Sequence, residues 1–235
     1  MKSNRLFIIH FDDIYLYQTR LRGLCNEIDL RDIRGTRYLC PIEKLEELDT
    51  KIPYLGNPVV FMGSGDFHYI TYLFLRRIKD LFNLILIDKH LDIKKTFDGF
   101  ISCGSWINDA LKLKNLKGIL YIGPEKIQDR DRIQKLDDRF WQLKSLIREG
   151  YPIYISIDKD ILDPSFLKTN WDQGDFTVTY LLETLSNIPK DMIIGTDICG
   201  EPKPNPFAIE VKKSEEINLK ILNTLTTLDD QEISA

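Results

Sequence analysis

The sequence predicts an α/β fold, a doubly wound and mostly parallel sheet with helices on both faces, in a single domain. Three observations support this prediction. Short apolar runs recur along the chain, amphipathic segments lie between them, and no linker, low-complexity block or internal repeat divides the 235 residues. A hydrophobic content of 43% is sufficient for a substantial core. We therefore treat residues 1–235 as one domain.

Seven apolar runs are predicted to form buried strands. They are near-continuously apolar, as is typical of parallel strands covered on both faces, whereas half-exposed strands alternate. The runs span residues 6–11, 58–63, 84–88, 99–102, 118–123, 154–158 and 192–198.

Helical periodicity is found between these runs. The segment 68–81 follows the second run, 139–150 precedes the sixth, and 208–228 is predicted to pack on the sheet near the end of the sequence. Strands that alternate with helices favour parallel βαβ units. The polar region 12–57 gives no clear assignment.

The charge balance argues against a nucleic-acid partner. The 32 Lys and Arg residues against 36 Asp and Glu residues give a net charge of -4, which offers no basic field for phosphates. The first apolar run is too short for a signal peptide or a membrane span. We expect a cytoplasmic protein without a membrane partner.

The four cysteines are Cys25, Cys40, Cys103 and Cys199, and no two of them form a CxxC pair. This spacing suggests neither a zinc ribbon nor a disulfide framework. We predict reduced thiols with structural roles.

Acidic and imidazole side chains gather where three of the predicted strands end. The second run leads into GSGDFH (63–68), the third into DKHLD (88–92) and the sixth into SIDKDILDP (156–164). In open α/β sheets ligands bind at the carboxyl ends of the strands, so these positions predict a site.

The spacing within these motifs suits a metal ion. In an extended chain Asp88, His90 and Asp92 would share one face, and so would Asp158 and Asp160. Buried carboxylates need positive compensation. Together with His68 they form a mixed nitrogen and oxygen site, which favours Mn²⁺ or another first-row divalent ion. A solvated turn and a surface strand end are the alternative interpretations of these motifs.

His10 competes for a ligand role because it alternates with Asp12 at the end of the first run. A core histidine with a satisfied hydrogen bond explains it adequately, and we predict that structural role.

These motifs resemble those of the ureohydrolases, the family of arginase, agmatinase and formiminoglutamase, which share a fold with the histone deacetylases. The family pattern is Gly-Gly-Asp-His, Asp-x-His-x-Asp, Ser-x-Asp-x-Asp-x-x-Asp-Pro and Asp-x-x-Glu-x-x-Pro. This chain has GSGDFH, DKHLD, SIDKDILDP and TDICGEPKP in the same order, and the resemblance covers residues 57–207.

The resemblance implies two metal ions, with Mn²⁺ as the first candidate. Asp88 and Asp158 would bridge the ions, His68 and Asp92 would complete one site, and His90 and Asp160 the other. A hydroxide held between the metals would attack the central carbon of a guanidino or amidino group and release an amine with urea or a related amide.

The chain departs from the family pattern at four places. One extra residue precedes His68 and one precedes Glu201, which is expected to pair with the cationic substrate unless Gly200 takes its place. The proton-shuttle histidine of arginases is absent from ISCGSW (101–106), so water or Asp163 would transfer protons. The loop after Pro164 also differs. Its candidate substrate-pocket residues are Asn170, Trp171, Asp172 and Gln173.

Arginine, agmatine, formiminoglutamate, free guanidine and an arginine within a peptide are all candidate substrates. A metal-dependent amide deacetylase on the same fold and a catalytically inactive relative that only binds a ligand are the alternatives. Members of the family often assemble into rings, so a homo-oligomer is also considered.

Overall fold

Eight parallel strands form the central sheet. The computed structural model describes residues 3–127, 132–136, 140–205, 207 and 209–226. The strands of the sheet are β1 (Leu6–His10), β2 (Asn26–Asp29), β4 (Val59–Phe61), β5 (Phe82–Ile87), β7 (Leu116–Ile122), β8 (Ile133–Lys135), β9 (Ile153–Asp158) and β10 (Ile193–Cys199). Their spatial order is β2-β1-β4-β10-β9-β5-β7-β8.

A separate antiparallel pair is formed by β3 (Leu39–Pro41) and β6 (Phe100–Ser102). The run at 99–102 was predicted to join the parallel sheet, and that prediction is wrong. Of the residues of β6 only Ile101 is fully buried, because the strand covers the core from one side. The other six predicted runs match strands of the main sheet.

Helices lie on both faces of the sheet, as predicted. The α-helices are α1 (Thr19–Leu24), α2 (Ile42–Lys51), α3 (Thr71–Arg76), α4 (Trp106–Ala110), α5 (Trp141–Glu149), α6 (Val178–Ser186) and α7 (Ile209–Leu225). The 3-10 helices are Ile14–Tyr17, Gly65–Ile70, Lys159–Ile161 and Lys190–Met192. The predicted helix 68–81 is therefore partly a 3-10 helix, and residues 208, 227 and 228 of the predicted last helix lie outside the described residues.

Successive residues of the strands point into two different cores. In β5, Ile85 and Ile87 face a core covered by α1, α5, α6 and α7. Leu84 and Leu86 face a second core that contains side chains of α2, α3 and α4. Burial on both faces explains why the strands are continuously apolar. Among the described residues, no helix is both long and apolar enough to cross a bilayer.

Candidate metal centre

The predicted ligands lie at the carboxyl ends of strands that are neighbours in the sheet. The order β4-β10-β9-β5 brings together segments that are far apart in sequence. His68 lies in the 3-10 helix after β4, Asp88 follows β5, and Asp158 ends β9. All six predicted ligands converge on one small cavity.

The first cluster consists of Asp88, His90 and Asp160. The Nδ1 atom of His90 lies 2.9 Å from Asp160 Oδ2 and 3.6 Å from Asp88 Oδ1. One ligand atom from each of the three residues lies within 4.8 Å of the other two. This spacing is suitable for one ion.

The second cluster surrounds His68. Its Nδ1 atom lies 3.0 Å from Asp88 Oδ2, 3.1 Å from Asp92 Oδ2 and 3.7 Å from Asp158 Oδ2. Asp88 belongs to both clusters, as the predicted bridging role requires. Asp158 groups with His68 and, in addition, with Cys199, a residue for which we had predicted a structural role.

The motif 88–92 is folded, although an extended segment was predicted. The backbone N–H of His90 donates to Asp88 Oδ1 at 2.7 Å, and Asp92 has a left-handed φ of 53°. A non-glycine residue in this region costs about 1–3 kcal/mol. Trp106 Nε1 holds the strained residue by donating to Asp92 Oδ2 at 2.7 Å. The three side chains thus converge through a turn and not through strand alternation.

Hydrogen bonds set the tautomer of His68. Ser156 Oγ donates to Asp197 Oδ1 at 2.8 Å, so its oxygen accepts from His68 Nε2, also at 2.8 Å. With its hydrogen on Nε2, a neutral His68 presents the lone pair of Nδ1 to the cluster. Nδ1 is buried and makes no well-directed hydrogen bond, despite its short distances to carboxylates.

His90 has the same orientation. Its Nε2 atom lies 2.9 Å from Asp172 Oδ1, and a carboxylate can only accept, so Nε2 carries the hydrogen. In a neutral His90 the lone pair of Nδ1 would then face Asp88 and Asp160. A carboxylate behind a ligating histidine is a common arrangement in metal sites, because it fixes the ring and raises its basicity.

The proximity of the carboxylates perturbs their protonation. Burial and repulsion from Asp160 raise the pKa of Asp158 to about 6. Burial and repulsion from Asp88 raise the pKa of Asp160 to about 7. Burial opposes protonation of His90, but Asp160 and Asp88 outweigh it and raise its pKa to about 11. The cluster therefore requires positive charge, which protons or metal cations can supply.

These residues fit a pair of divalent ions. The unpartnered Nδ1 of His68 is aimed at buried carboxylate oxygens, and the donor set combines imidazole nitrogen with carboxylate oxygen. First-row divalent metals accept such mixed sets. The shared Asp88 links the two clusters.

The cavity at the ligands measures about 30 Å³, a volume comparable to that of one water molecule in the liquid. Trp171 lines it, donates from Nε1 to Asp66 Oδ1 at 3.0 Å and packs edge-on against His90.

The four predicted pocket residues of the loop differ in placement. Trp171 lines the cavity, and Asp172 contacts His90. Asn170 Nδ2 donates to the buried Asp66 at 2.8 Å, while its Oδ1 has no hydrogen-bond partner. Gln173 instead bonds to the backbone carbonyls of Leu162 and Leu167, so it shapes the loop and does not face the cavity.

Asp66 has a larger role than the sequence suggested. Its carboxylate is fully buried and accepts from Asn170, Trp171 and Arg37 Nη1, the last at 2.8 Å. The position of Asp66 in GSGDFH was the only available signal for this role. The contribution of Arg37 could not be found, because it comes from the unassigned region 12–57.

Glu201 is not placed where the resemblance predicted. It is fully buried, and Oε1 accepts from Lys159 Nζ at 2.5 Å and from Asn218 Nδ2 at 2.7 Å. Gln18 and Ser214 donate to Oε2, each at 2.7 Å. Both oxygens are thus occupied inside the protein, and the predicted contact with substrate is corrected.

Gly200 explains this displacement. Its φ is 79°, and a Cβ atom would come within 2.3 Å of Asp158 Oδ1. No side chain fits here, so the extra residue before Glu201 is not absorbed by the loop. Glu201 and Cys199 are not among the described residues that line the cavity. The thiol of Cys199 instead lies next to one of the lining residues, with Sγ 3.2 Å from Asp158 Oδ2.

Asp163 and His10 also lie outside the cluster. The carboxylate of Asp163 accepts from Ser165 N at 2.8 Å and stabilises an exposed turn, so the predicted proton-transfer role is corrected. His10 Nε2 lies 2.9 Å from Glu27 Oε2 at the edge of the sheet. This contact agrees with the structural role predicted for His10.

Comparisons with known proteins agree with this architecture. An uncharacterized protein from Thermotoga maritima is 37% identical over 221 residues, which cover 94% of this chain and 89% of that protein. This chain belongs to the same family. No family model matches it.

Solved structures identify the fold. Proclavaminate amidino hydrolase from Streptomyces clavuligerus superposes with a TM-score of 0.66 at 20% identity, covering 96% of this chain and 92% of that one. Formimidoylglutamase from Bacillus subtilis gives 0.65 at 16% identity, with coverages of 96% and 87%. Arginase from Bacillus caldovelox gives 0.64 at 18% identity, with coverages of 98% and 100%.

The chain has the ureohydrolase fold. The resemblance predicted from four short motifs is thereby confirmed for the fold. The ureohydrolase fold also accounts for the position of the cluster, since the carboxyl ends of the central strands form the binding edge of such sheets.

Proposed function

We propose that this protein is a binuclear metal-dependent hydrolase that cleaves a C–N bond of a guanidino or amidino substrate, with Mn²⁺ as the first candidate metal. One observation carries the proposal. Both histidines of the cluster aim Nδ1 at carboxylates, and the hydrogen bonds behind each ring place a hydrogen on Nε2. Such orientation is expected of ligands and is not needed for core histidines.

The residues have distinct tasks. His68 and Asp92 would hold one ion, His90 and Asp160 the other, and Asp88 and Asp158 would contact both. Asp88 groups with both histidines, and Asp158 groups with His68. Bound divalent ions would supply Lewis acidity and lower the pKa of water at the site towards neutrality. Because the side chains are buried and pinned by neighbours, little reorganisation is needed when the ions bind.

A small cationic substrate suits the electrostatics. The cavity is lined by the carboxylates of Asp88, Asp92, Asp158 and Asp160, and the exposed Asp172 lies beside His90. The Trp171 ring offers a face to a guanidinium group, and the free Oδ1 of Asn170 is an acceptor for an N–H group. With Glu201 withdrawn, these groups take over substrate binding, and water replaces Asp163 in proton transfer.

The test begins with metal content. The purified protein is loaded with Mn²⁺, desalted and analysed by mass spectrometry, and then offered arginine, agmatine, formiminoglutamate, guanidine and an arginine-containing peptide. We expect two ions per chain and release of urea or of a related amide from one compound. Asp88→Asn should lose both ions, whereas Asp163→Asn, its exposed control, should keep them.

Two outcomes oppose the proposal. One ion per chain would indicate an amide deacetylase with a single metal. Two ions without turnover of any of these C–N substrates would favour a ligand-binding relative. We also propose a cytoplasmic location, because Cys40, Cys103 and Cys199 are buried thiols outside any disulfide.

A further inference from the structure

Cys199 is a buried side chain for which the proposed function has no use. It ends β10, is fully buried, and its Sγ atom donates towards Asp158 Oδ2 at 3.2 Å. Asp158 Oδ2 is also the oxygen that lies 3.7 Å from His68 Nδ1. Sulfur, oxygen and nitrogen thus meet at one point, with one ligand atom of each residue within 4.8 Å of the other two.

A second observation indicates that this point receives a ligand. His68 is 1% exposed, and its Nδ1 atom has no well-directed hydrogen bond although it lies 3.0, 3.1 and 3.7 Å from oxygens of Asp88, Asp92 and Asp158. An unpartnered nitrogen in such a position is costly unless an electrophile occupies the space in front of it. His68 Nδ1 and Cys199 Sγ both approach the same oxygen, Asp158 Oδ2, at 3.7 and 3.2 Å.

The two residues that follow Cys199 bring no side chain to the cluster. Gly200 cannot carry a side chain, because its Cβ atom would contact Asp158 Oδ1. Glu201 points away to Lys159. The side chain of β10 that groups with candidate metal ligands is therefore the thiol of Cys199, directly before this glycine.

We propose that Cys199 is a thiolate ligand of the metal ion on the His68 side, which makes the two metal positions chemically unequal. This inference rests on the proposed metal centre. When the ion binds, the S–H bond breaks and a sulfur–metal bond forms. The proton leaves by way of Asp158 Oδ2, towards which the thiol is already directed.

A mixed-metal centre follows from this asymmetry. The His90 side offers nitrogen and oxygen from Asp88, His90 and Asp160, which suits Mn²⁺. The His68 side adds sulfur, and thiolates favour Zn²⁺ or Co²⁺ over Mn²⁺. We expect one softer and one harder ion per chain when both kinds are supplied.

Cobalt reports on the sulfur directly. The protein is loaded with Co²⁺, and its near-ultraviolet spectrum is searched for a thiolate-to-cobalt charge-transfer band. We expect the band in the native protein and in Cys103→Ser, and its loss in Cys199→Ser. Cys103 is the matched control because it is also buried and lines the cavity at the ligands but does not group with two candidate ligands.

Zinc X-ray absorption provides a test without any variant. The native protein loaded with Zn²⁺ should show a sulfur neighbour at about 2.3 Å. Bound metal with only nitrogen and oxygen neighbours and no charge-transfer band would overturn the role of Cys199 while leaving the metal centre intact. Failure to bind any metal would overturn both proposals, and a band that is retained in Cys199→Ser but lost in Cys103→Ser would transfer the role to Cys103.

Discussion

At the scale of single residues, the tautomer of each histidine is decided by the group behind it. Asp172 is largely exposed, yet it fixes the ring of His90 through a contact of 2.9 Å. Ser156 does the same for His68. Neither partner is a metal ligand, so both are positioning residues.

We predict that Asp172→Asn weakens metal binding on the His90 side by about 10- to 100-fold, because the amide lacks the charge that raises the basicity of the ring. Titration against a competing chelator would show one weakened ion and one unchanged ion. Asp163→Asn serves as the control, since Asp163 lies in an exposed turn. Equal affinity of both ions in Asp172→Asn and the native protein would refute the role of Asp172.

A second prediction concerns Glu201. Glu201→Gln leaves Lys159 buried without its carboxylate, and breaking such a pair costs about 3–5 kcal/mol. Urea unfolding should therefore show a large loss of stability. Lys159→Met combined with Glu201→Leu should recover much of that loss, since it removes both charges. A stable Glu201→Gln protein with an increased KM would instead restore the substrate-binding role that the resemblance implied.

At the scale of elements, His10 and Glu27 connect β1 to β2 at one edge of the sheet. Burial lowers the pKa of His10, although Glu27 acts in the opposite direction. A histidine with a lowered folded-state pKa binds fewer protons when folded than when unfolded. Its contribution to stability is present above the unfolded pKa of 6.5 and is lost as the pH falls through the folded value.

We therefore expect the free energy of unfolding of the native protein to fall more between pH 7.5 and pH 5.5 than that of His10→Gln. The difference should develop below about pH 6.5, the pKa of an unfolded histidine. Urea unfolding of both proteins at the two pH values, in the same chelator-containing buffer, isolates the contribution of His10. Identical pH dependence in the two proteins would contradict the assignment.

At the scale of the whole molecule, the metal centre connects strands from both halves of the sequence. The strands β4, β10, β9 and β5 are neighbours in the sheet but distant in the sequence. Bound ions would therefore link segments that are far apart along the chain. Removing the ions leaves buried carboxylates near one another, with raised pKa values at Asp158 and Asp160.

Chelation should consequently lower the melting temperature. A ligand at 100 times its Kd stabilises the folded state by about 2.7 kcal/mol, which corresponds to roughly 5–10 °C for a chain of this size. Calorimetry with EDTA and with Mn²⁺ would measure the difference. The melting temperature of Asp88→Asn should differ very little between EDTA and Mn²⁺. A native protein whose melting temperature responds to neither additive would exclude a bound metal.

The sequence by itself determined the parallel α/β class and the identity of the six clustered residues. Strands buried on both faces must be continuously apolar, and carboxylates and imidazoles directly after them must lie at one edge of the sheet. Six of the seven apolar runs accordingly matched strands of the main sheet, whereas the half-exposed run at 99–102 did not.

Only the tertiary structure decided which strand ends are neighbours and where side chains near turns point. The left-handed φ of Asp92, the crowding of Gly200 against Asp158, the pairing of Glu201 with Lys159 and the approach of Cys199 to His68 all depend on contacts between distant segments. Such contacts leave no periodic pattern in the sequence. Each depends on which strands are neighbours in the sheet, and the apolar runs alone do not determine that spatial order.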